Sequence, residues 1–173
     1  MYPDLPGLRV MLCCLLLVSL QTAAAVESLT GRPARIVSGN ELVLLGSDGV
    51  LHRIVLSGID AQPPNQPWGA AAIRHLRSLV MGRSVTFVYR STEHTERIRG
   101  QLRHGGADIN IRLLAAGLAR LDPSGLSRAD TERYAAAERQ ARAAGLGIWS
   151  TAGREPRFQS RTPPGGALFR TQQ

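Results

Sequence analysis

The sequence contains no lysine, although it has 21 basic residues against 13 acidic ones and a formal net charge of +8. All of these cations are therefore arginines, and an abundance of alanine and glycine beside them indicates a compositional bias. A strongly basic domain nevertheless attracts polyanions, and the planar guanidinium group suits phosphate. Aromatic residues make up only 5% of the chain, so stacking on nucleic-acid bases is not a prominent feature.

Cysteine is almost absent, and both copies, Cys13 and Cys14, lie in the first 25 residues. Residues 1–25 carry Arg9, then a short apolar run, then an alanine run ending at Ala25, which is the pattern of a secretory signal peptide. The apolar run is shorter than the roughly 20 residues that a spanning helix needs. We therefore expect cleavage after Ala25 and export, to the periplasm or the medium, of a chain without a transmembrane segment. A buried N-terminal helix is the alternative.

The exported chain lacks cysteine, so it has neither a disulfide nor a thiolate metal site. Residues 26–32 are predicted to be a linker, and residues 33–150 a folded domain. Residues 151–173 contain Pro, Gly, Gln and Arg without periodicity, which is typical of a disordered basic tail. The four histidines are scattered without the spacing of metal ligands, which argues against a zinc site.

Short apolar runs separated by turn residues predict strands in the first half of the domain. Apolar residues at helical spacing predict three helices, and Trp149 is expected to return to the core after the last one. Five strands with a helix inserted after the third predict an α+β fold, an OB-type five-stranded β-barrel with three helices. The strands fall within 33–60, 84–90 and 98–103, and the helices at 66–82, from Asp108 or Asn110, and from Ser127 to Thr131 onward.

Five segments in order resemble the staphylococcal nuclease (thermonuclease) family. They are ARIVSGNELVLL, VLSGIDAQ, QPWGAAAIRHLRSLVMGRSV, ADINIRLLAAGLA and AERQARAAGLGIW, and they cover about residues 33–150. The resemblance implies a Ca²⁺-dependent phosphodiesterase on an OB-type barrel. Such a site has two metal-binding aspartates, a glutamate that activates water, and two arginines that hold the phosphate.

The resemblance implies a degenerate active site in this chain. It places the metal-binding acids at Asn40 and Asp60, so only Asp60 keeps its carboxylate and Asn40 is at best a weak ligand. It places the base at Pro63 and the phosphate-binding arginines at Val55 and Arg97, so Arg97 alone keeps its role. Ca²⁺ binding is therefore expected to be weak or absent. A missing general base costs a rate factor of about 10² to 10⁴.

Neighbouring residues offer partial substitutes. Arg53 lies two residues before Val55, so it shares a strand face with it, but it would have to reach about 6 to 7 Å along the strand. Glu41 follows Asn40 directly and is expected to point to the opposite side. Gln62 can hydrogen-bond a water but cannot deprotonate it. Glu93 and Glu96 are expected to be solvated surface charges near Arg97.

Three functions remain open. The first is an exported, thermonuclease-like domain that has lost most phosphodiesterase chemistry and binds nucleic acid or another polyanion. The second is an active, Ca²⁺-dependent secreted endonuclease with a rearranged site that uses Arg53 and a displaced acid. The third is a protein-interaction scaffold, whose partner the sequence does not identify.

Overall fold

A computed structural model describes residues 26–90 and 97–150. The predicted signal peptide and basic tail lie outside these ranges, as do Glu93 and Glu96. The described chain forms eight strands, three α-helices and a terminal 3₁₀ turn. In chain order these are β1 (Val26–Ile36), β2 (Glu41–Gly46), β3 (Leu51–Leu56), β4 (Ile59–Asp60), α1 (Gly69–Val80), β5 (Val85–Arg90), β6 (Ile98–His104), β7 (Ala107–Asp108), α2 (Ile109–Ala115), β8 (Arg120–Leu121), α3 (Arg128–Ala143) and the 3₁₀ turn (Gly147–Trp149).

Five of these strands close into a barrel. They are ordered β3-β2-β1-β5-β6 with antiparallel neighbours, and a parallel pairing between β3 and β6 completes the ring. Alternate side chains point inward and are fully buried, because successive residues of a strand face opposite sides. The OB-type α+β fold with three helices is confirmed. The interior includes Leu42, Leu44, Ile54, Phe87 and Leu102.

The first strand is longer than predicted. It begins at Val26 and pairs with β5 from Val26↔Arg90 to Gly31↔Val85, so residues 26–32 are strand and the predicted linker was wrong. Gly31 allows this strand to approach β2 closely, because a Cβ there would lie 2.2 Å from the carbonyl oxygen of Leu45. This segment offers one partly buried apolar residue, Leu29, among exposed neighbours, and so gives almost no alternating signal.

A side-chain oxygen accepts a backbone hydrogen bond at the start of each α-helix. The Oε1 atom of Gln62 accepts from the backbone N–H of Trp68, 3.2 Å away, just before α1. The Asp108 side chain accepts from the N–H of Ile111 (3.2 Å) at the start of α2. At α3 the Ser127 hydroxyl accepts from the N–H of Asp130 (3.1 Å). Each of these bonds satisfies a backbone donor that the helix itself leaves unpaired.

Two buried polar contacts join α2 to the rest of the molecule. The fully buried Asn110 amide donates to the carbonyl oxygens of Ser57 (2.8 Å) and Gly100 (3.4 Å). The Tyr134 hydroxyl donates to the Asp108 carboxylate at 3.0 Å, and burial, followed by the charge of Asp108, raises the pKa of Tyr134. Asn110 thereby fixes the end of β3 against β6, which is where the barrel closes.

Trp149 does not enter the core, in contrast to the prediction. Its ring is partly buried, and the guanidinium groups of Arg142 and Arg120 lie 3.9 and 4.8 Å from its centroid. Ile148 packs against the core instead. The cation–π contacts explain the difference, since they hold the aromatic face at the surface. Within the described ranges, no helix has the length and apolar character needed to cross a bilayer.

Candidate functional site

A carboxylate and two guanidinium groups meet on the outer face of the barrel. The Nε–H of Arg53 donates to Oε1 of Glu41, and the Nε atom of Arg97 lies 3.8 Å from the same oxygen. The Glu41 side chain is only 14% exposed, whereas Arg53 and Arg97 are 44% and 59% exposed. We call these three residues the arginine–glutamate cluster. The Arg53 and Arg97 side chains are exposed to solvent, and both contact the mostly buried carboxylate of Glu41.

Strand register produces this cluster. In the β2–β3 ladder Glu41 pairs with Val55, and Val43 pairs with Arg53, so Glu41 and Arg53 are diagonal neighbours on one face. In the parallel β3–β6 ladder Ile54 pairs with Ile98. Arg53 comes one residue before Ile54, and Arg97 comes one residue before Ile98. The two arginines therefore lie side by side. Arg53 therefore meets Arg97 without the shift along the strand that the sequence analysis assumed.

Glu41 is the site residue that sequence reasoning missed. Asn40 and Glu41 do point to opposite sides, as expected, because the amide of Asn40 lies 3.4 Å from the carbonyl oxygen of Ile59 while Glu41 faces outward. The outward side, however, is the one that carries both arginines. The register between β2 and β3, which the hairpin turn sets, is the feature from which the contact between Glu41 and Arg53 could have been predicted.

The residues at the two implied metal positions offer one exposed carboxylate and one amide that is already hydrogen-bonded. Asn40 Oδ1 accepts from the Ser38 hydroxyl at 2.9 Å, and its Nδ2 donates to Ile59, so the amide stabilises the β1–β2 turn. Asp60 is exposed on β4, where its backbone pairs with Arg120. Among the described side chains, no group of three or more acids, histidines or cysteines is placed to hold a metal.

Calcium takes six to eight oxygen ligands, most of them anionic. One carboxylate and one amide that is already hydrogen-bonded are a poor donor set, so these residues do not fit the ion. The expectation of weak or absent Ca²⁺ binding stays a prediction.

The base position is structural as well. The carbonyl oxygen of Pro63 accepts from the N–H of Gln66 at 2.9 Å, and Gly69 packs so closely that a Cβ there would lie 1.9 Å from that oxygen. The Gln62 amide oxygen accepts from the backbone N–H of Trp68, just before α1. Neither side chain is available to take a proton from water. Val55 is 9% exposed, on the outer face beside the arginine–glutamate cluster.

A cavity of about 540 Å³ lies next to the cluster along β6. It is bounded by the outer faces of β5 and β6 and by the loop that leads into α3, with Arg90, Arg99 and Asp130 among its lining residues. Arg99 also lowers the pKa of Asp122, although less than the hydrogen bonds from Ser124 do. Arg53 and Arg97 do not line this cavity, and we place the candidate site at the arginine–glutamate cluster, where both guanidinium groups converge on one oxygen.

The comparison with protein families decides the assignment. The model of the family described as staphylococcal nuclease homologue matches residues 53–151. The chain belongs to the staphylococcal nuclease homologue family. The segment that matches the family contains Val55, Asp60, Pro63 and Arg97, and it begins after Asn40 and Glu41. The anionic half of the arginine–glutamate cluster is therefore contributed from outside the matched segment.

One curated relative matches part of the chain. It is an Escherichia coli protein named "Uncharacterized endonuclease", 32% identical over 90 residues. The match covers 51% of this chain and 58% of that protein. The chain thus spans less than two thirds of this relative's length.

Proposed function

We propose that this family member is a nucleic-acid-binding domain that holds the phosphate backbone with Arg53 and Arg97 and has lost most phosphodiesterase chemistry. The observation that carries the proposal is the convergence of both guanidinium groups on Oε1 of Glu41. Guanidinium groups that meet at one anionic oxygen can hold a phosphate oxygen in its place, through charge-assisted hydrogen bonds. Their exposure leaves them accessible to a ligand.

The residue at the implied general-base position, Pro63, supports a binding role rather than catalysis. Attack by water on a phosphodiester needs an acceptor within hydrogen-bond reach of that water. Pro63 offers none, and Gln62 is engaged with the backbone at α1. Glu41 is a carboxylate in contact with both arginines, and its Oε1 is already shared between them. We propose that binding requires no Ca²⁺, since Asn40 and Asp60 are a poor donor set.

An active secreted endonuclease is the second candidate. The observation that favours it is that Arg53 and Arg97 rebuild a pair of cations, although Val55 occupies the expected arginine position. The name of the Escherichia coli relative points the same way. In this reading Glu41 would be the displaced acid.

A binding and cleavage assay separates the two candidates. The purified protein is mixed with a fluorescent oligothymidylate, with Ca²⁺ or with EDTA, and followed by anisotropy and by gel electrophoresis. We expect intact oligonucleotide, equal binding in Ca²⁺ and EDTA, and an affinity that falls steeply as salt rises. Ca²⁺-dependent cleavage that Asp60→Ala abolishes would establish the endonuclease instead. Tight, salt-independent binding to a neutral protein would favour the scaffold.

We further propose that the domain acts after export, on the basis of the signal-like pattern of residues 1–25. N-terminal sequencing of the protein from separated cell fractions tests this. A new N-terminus near Val26 in the periplasmic or secreted fraction is expected. An intact Met1 terminus in the cytoplasmic fraction would contradict it.

A further inference from the structure

The outer face of the barrel carries arginines in a line that runs across the strands. In the antiparallel ladders Arg35 pairs with Val43, and Val43 pairs with Arg53. Arg97 then lies beside Arg53 at the β3–β6 junction, where both contact Glu41. We call Arg35, Arg53 and Arg97 the arginine row. It extends the candidate site over β1 and β2, beyond the positions at which the family holds phosphate.

A second line, of apolar residues, lies alongside the first. Leu45 pairs with Leu51 across the β2–β3 hairpin, on the same face as Val43 and Arg53, and Arg32 flanks Leu45 on β1. Leu45 is 43% exposed and Leu51 is 63% exposed, so neither contributes to the barrel core. We call Leu45 and Leu51 the leucine pair. Packing within the domain does not account for two large apolar side chains side by side in solvent.

The spacing of the two lines suits a linear polymer with segregated charge. Neighbouring strands are about 4.8 Å apart, so the arginine row is about 14 Å long across three strand intervals. The leucine pair is two residues away along the strands, about 7 Å. A single-stranded polynucleotide has phosphates along one edge and bases along the other. A duplex encloses its bases, and the leucine pair would gain nothing from it.

The balance of charge on this surface also favours a polyanion. Among the described residues of the two lines, and with Arg32 included, there are four arginines and one acid, Glu41. Asp48 lies at the tip of the hairpin, where it pairs with His52 at 2.8 Å. The described part of this surface therefore carries more arginines than acids.

We propose that a single-stranded polynucleotide crosses β6, β3, β2 and β1 on this face, with phosphates along the arginine row and bases against the leucine pair. The inference rests on the proposed function and adds Arg35, Leu45 and Leu51 to its binding surface. Because leucine offers apolar contact without base-edge hydrogen bonds, binding should be tolerant of sequence.

Fluorescence anisotropy with a labelled oligothymidylate of twelve nucleotides tests this path in the full chain. Arg35→Gln should weaken binding several-fold at low salt and reduce the salt slope by about 0.7, the value for one phosphate contact on a single strand. Arg139→Gln is the matched control, because Arg139 is exposed on α3, away from the barrel strands.

The leucine pair is tested with Leu45→Thr and Leu51→Thr, which keep a residue favourable to strands. Each should weaken oligothymidylate binding about 3- to 10-fold, consistent with the loss of a modest apolar contact area. The salt slope and the affinity for duplex DNA should stay unchanged. Leu146→Thr is the control, since Leu146 is also 43% exposed but follows α3. Thermal unfolding by circular dichroism verifies that every variant is folded.

The outcomes distinguish this inference from the proposed function. If Arg53 and Arg97 are needed for binding while Arg35, Leu45 and Leu51 are not, the path across the sheet is wrong and the proposed function stands. If the wild-type protein binds no oligothymidylate at all, both are wrong. If the leucine variants lose binding to anionic phospholipid vesicles and keep oligothymidylate binding, the face belongs to a membrane surface and the inference is overturned.

Discussion

Two regions of the barrel differ in how their side chains are used. One is the outer face of β2, β3 and β6, and the other is the turn around Asn40 and Asp60. On the outer face, two cations converge although one expected arginine position holds Val55. At the turn, the Asn40 amide is engaged by the fold, since it bridges Ser38 and Ile59, whereas Asp60 is exposed. The outer face thus brings together Arg97, at an expected arginine position, and Arg53, at a different one.

An anion-binding surface and a metal site differ in how much change they tolerate. A guanidinium group stands on a long flexible stem, so an arginine two residues along the same strand face can serve a similar place. A calcium site needs several oxygens at 2.3 to 2.6 Å at the same time, and each loss weakens the remaining ones. The same number of substitutions therefore damages a metal site far more.

The largest expected effect comes from rebuilding the substituted positions. Asn40→Asp, Val55→Arg and Pro63→Glu together should raise Ca²⁺-dependent cleavage of single-stranded DNA by about 10² to 10⁴-fold, because they restore a ligand, a phosphate contact and a base. Each single substitution should give no strong cleavage. Gel assays with Ca²⁺ and with EDTA measure this. Strong activity from any one substitution alone would show that the roles are assigned wrongly.

The next largest effect should follow from removing the retained cations. Arg53→Gln with Arg97→Gln should weaken oligothymidylate binding by about 100-fold at low salt, since each charge-assisted hydrogen bond contributes about 1.5 to 3 kcal/mol. Anisotropy titrations at several salt concentrations measure it. Arg139→Gln is the control and should bind like the wild-type protein. An unchanged affinity in the double variant would place the ligand elsewhere.

A smaller effect, of opposite sign, is expected at Glu41. Glu41→Gln keeps the shape of the side chain and removes the anion that competes with phosphate for Arg53 and Arg97. Oligothymidylate affinity should rise about 2- to 5-fold, by the usual contribution of partly exposed ion pairs. A fall in affinity, measured in the same titration, would mean that Glu41 chiefly positions the arginines.

The smallest effect concerns pH and lies away from the site. Burial against the barrel, followed by the charge of Arg112, lowers the pKa of His75. The unfolded chain therefore takes up this proton first, so stability is complete above about pH 6.5 and declines as the pH falls below it. Urea unfolding at pH 7.5 and pH 5 should show a smaller loss for His75→Gln than for the wild-type protein. His104→Gln serves as the control, and an equal loss in all three proteins would contradict the assignment.

Local features of the fold were predictable from the sequence. The strand predicted within 84–90 forms at Val85–Arg90, and the helices predicted at 66–82 and from Ser127 to Thr131 onward form at Gly69–Val80 and Arg128–Ala143. Each of these patterns depends on residues that are neighbours in the sequence. The extension of β1 to Val26 was missed because its partner β5 lies far away in the chain. A segment with a single partly buried apolar residue forms a strand because it pairs with that partner, not because of its own sequence pattern.

The site was predictable only in part, for a related reason. Arg97 was identified from the family resemblance and Arg53 from its spacing to Val55, but their meeting depends on the parallel register of β3 and β6. Glu41 joins them through the register of a hairpin. Cation–π contacts that keep Trp149 outside the core also depend on residues from two other elements. Tertiary pairing decides all three placements.

The parallel junction of β3 and β6 is the seam at which the barrel shuts, and Asn110 holds it from inside. Arg53 and Arg97 stand on either side of that seam. A bound polyanion would contact both sides of this junction and stabilise the closed barrel. Tighter binding would therefore raise the melting temperature further. The melting temperature of the domain would then measure how much of the protein has a polyanion bound.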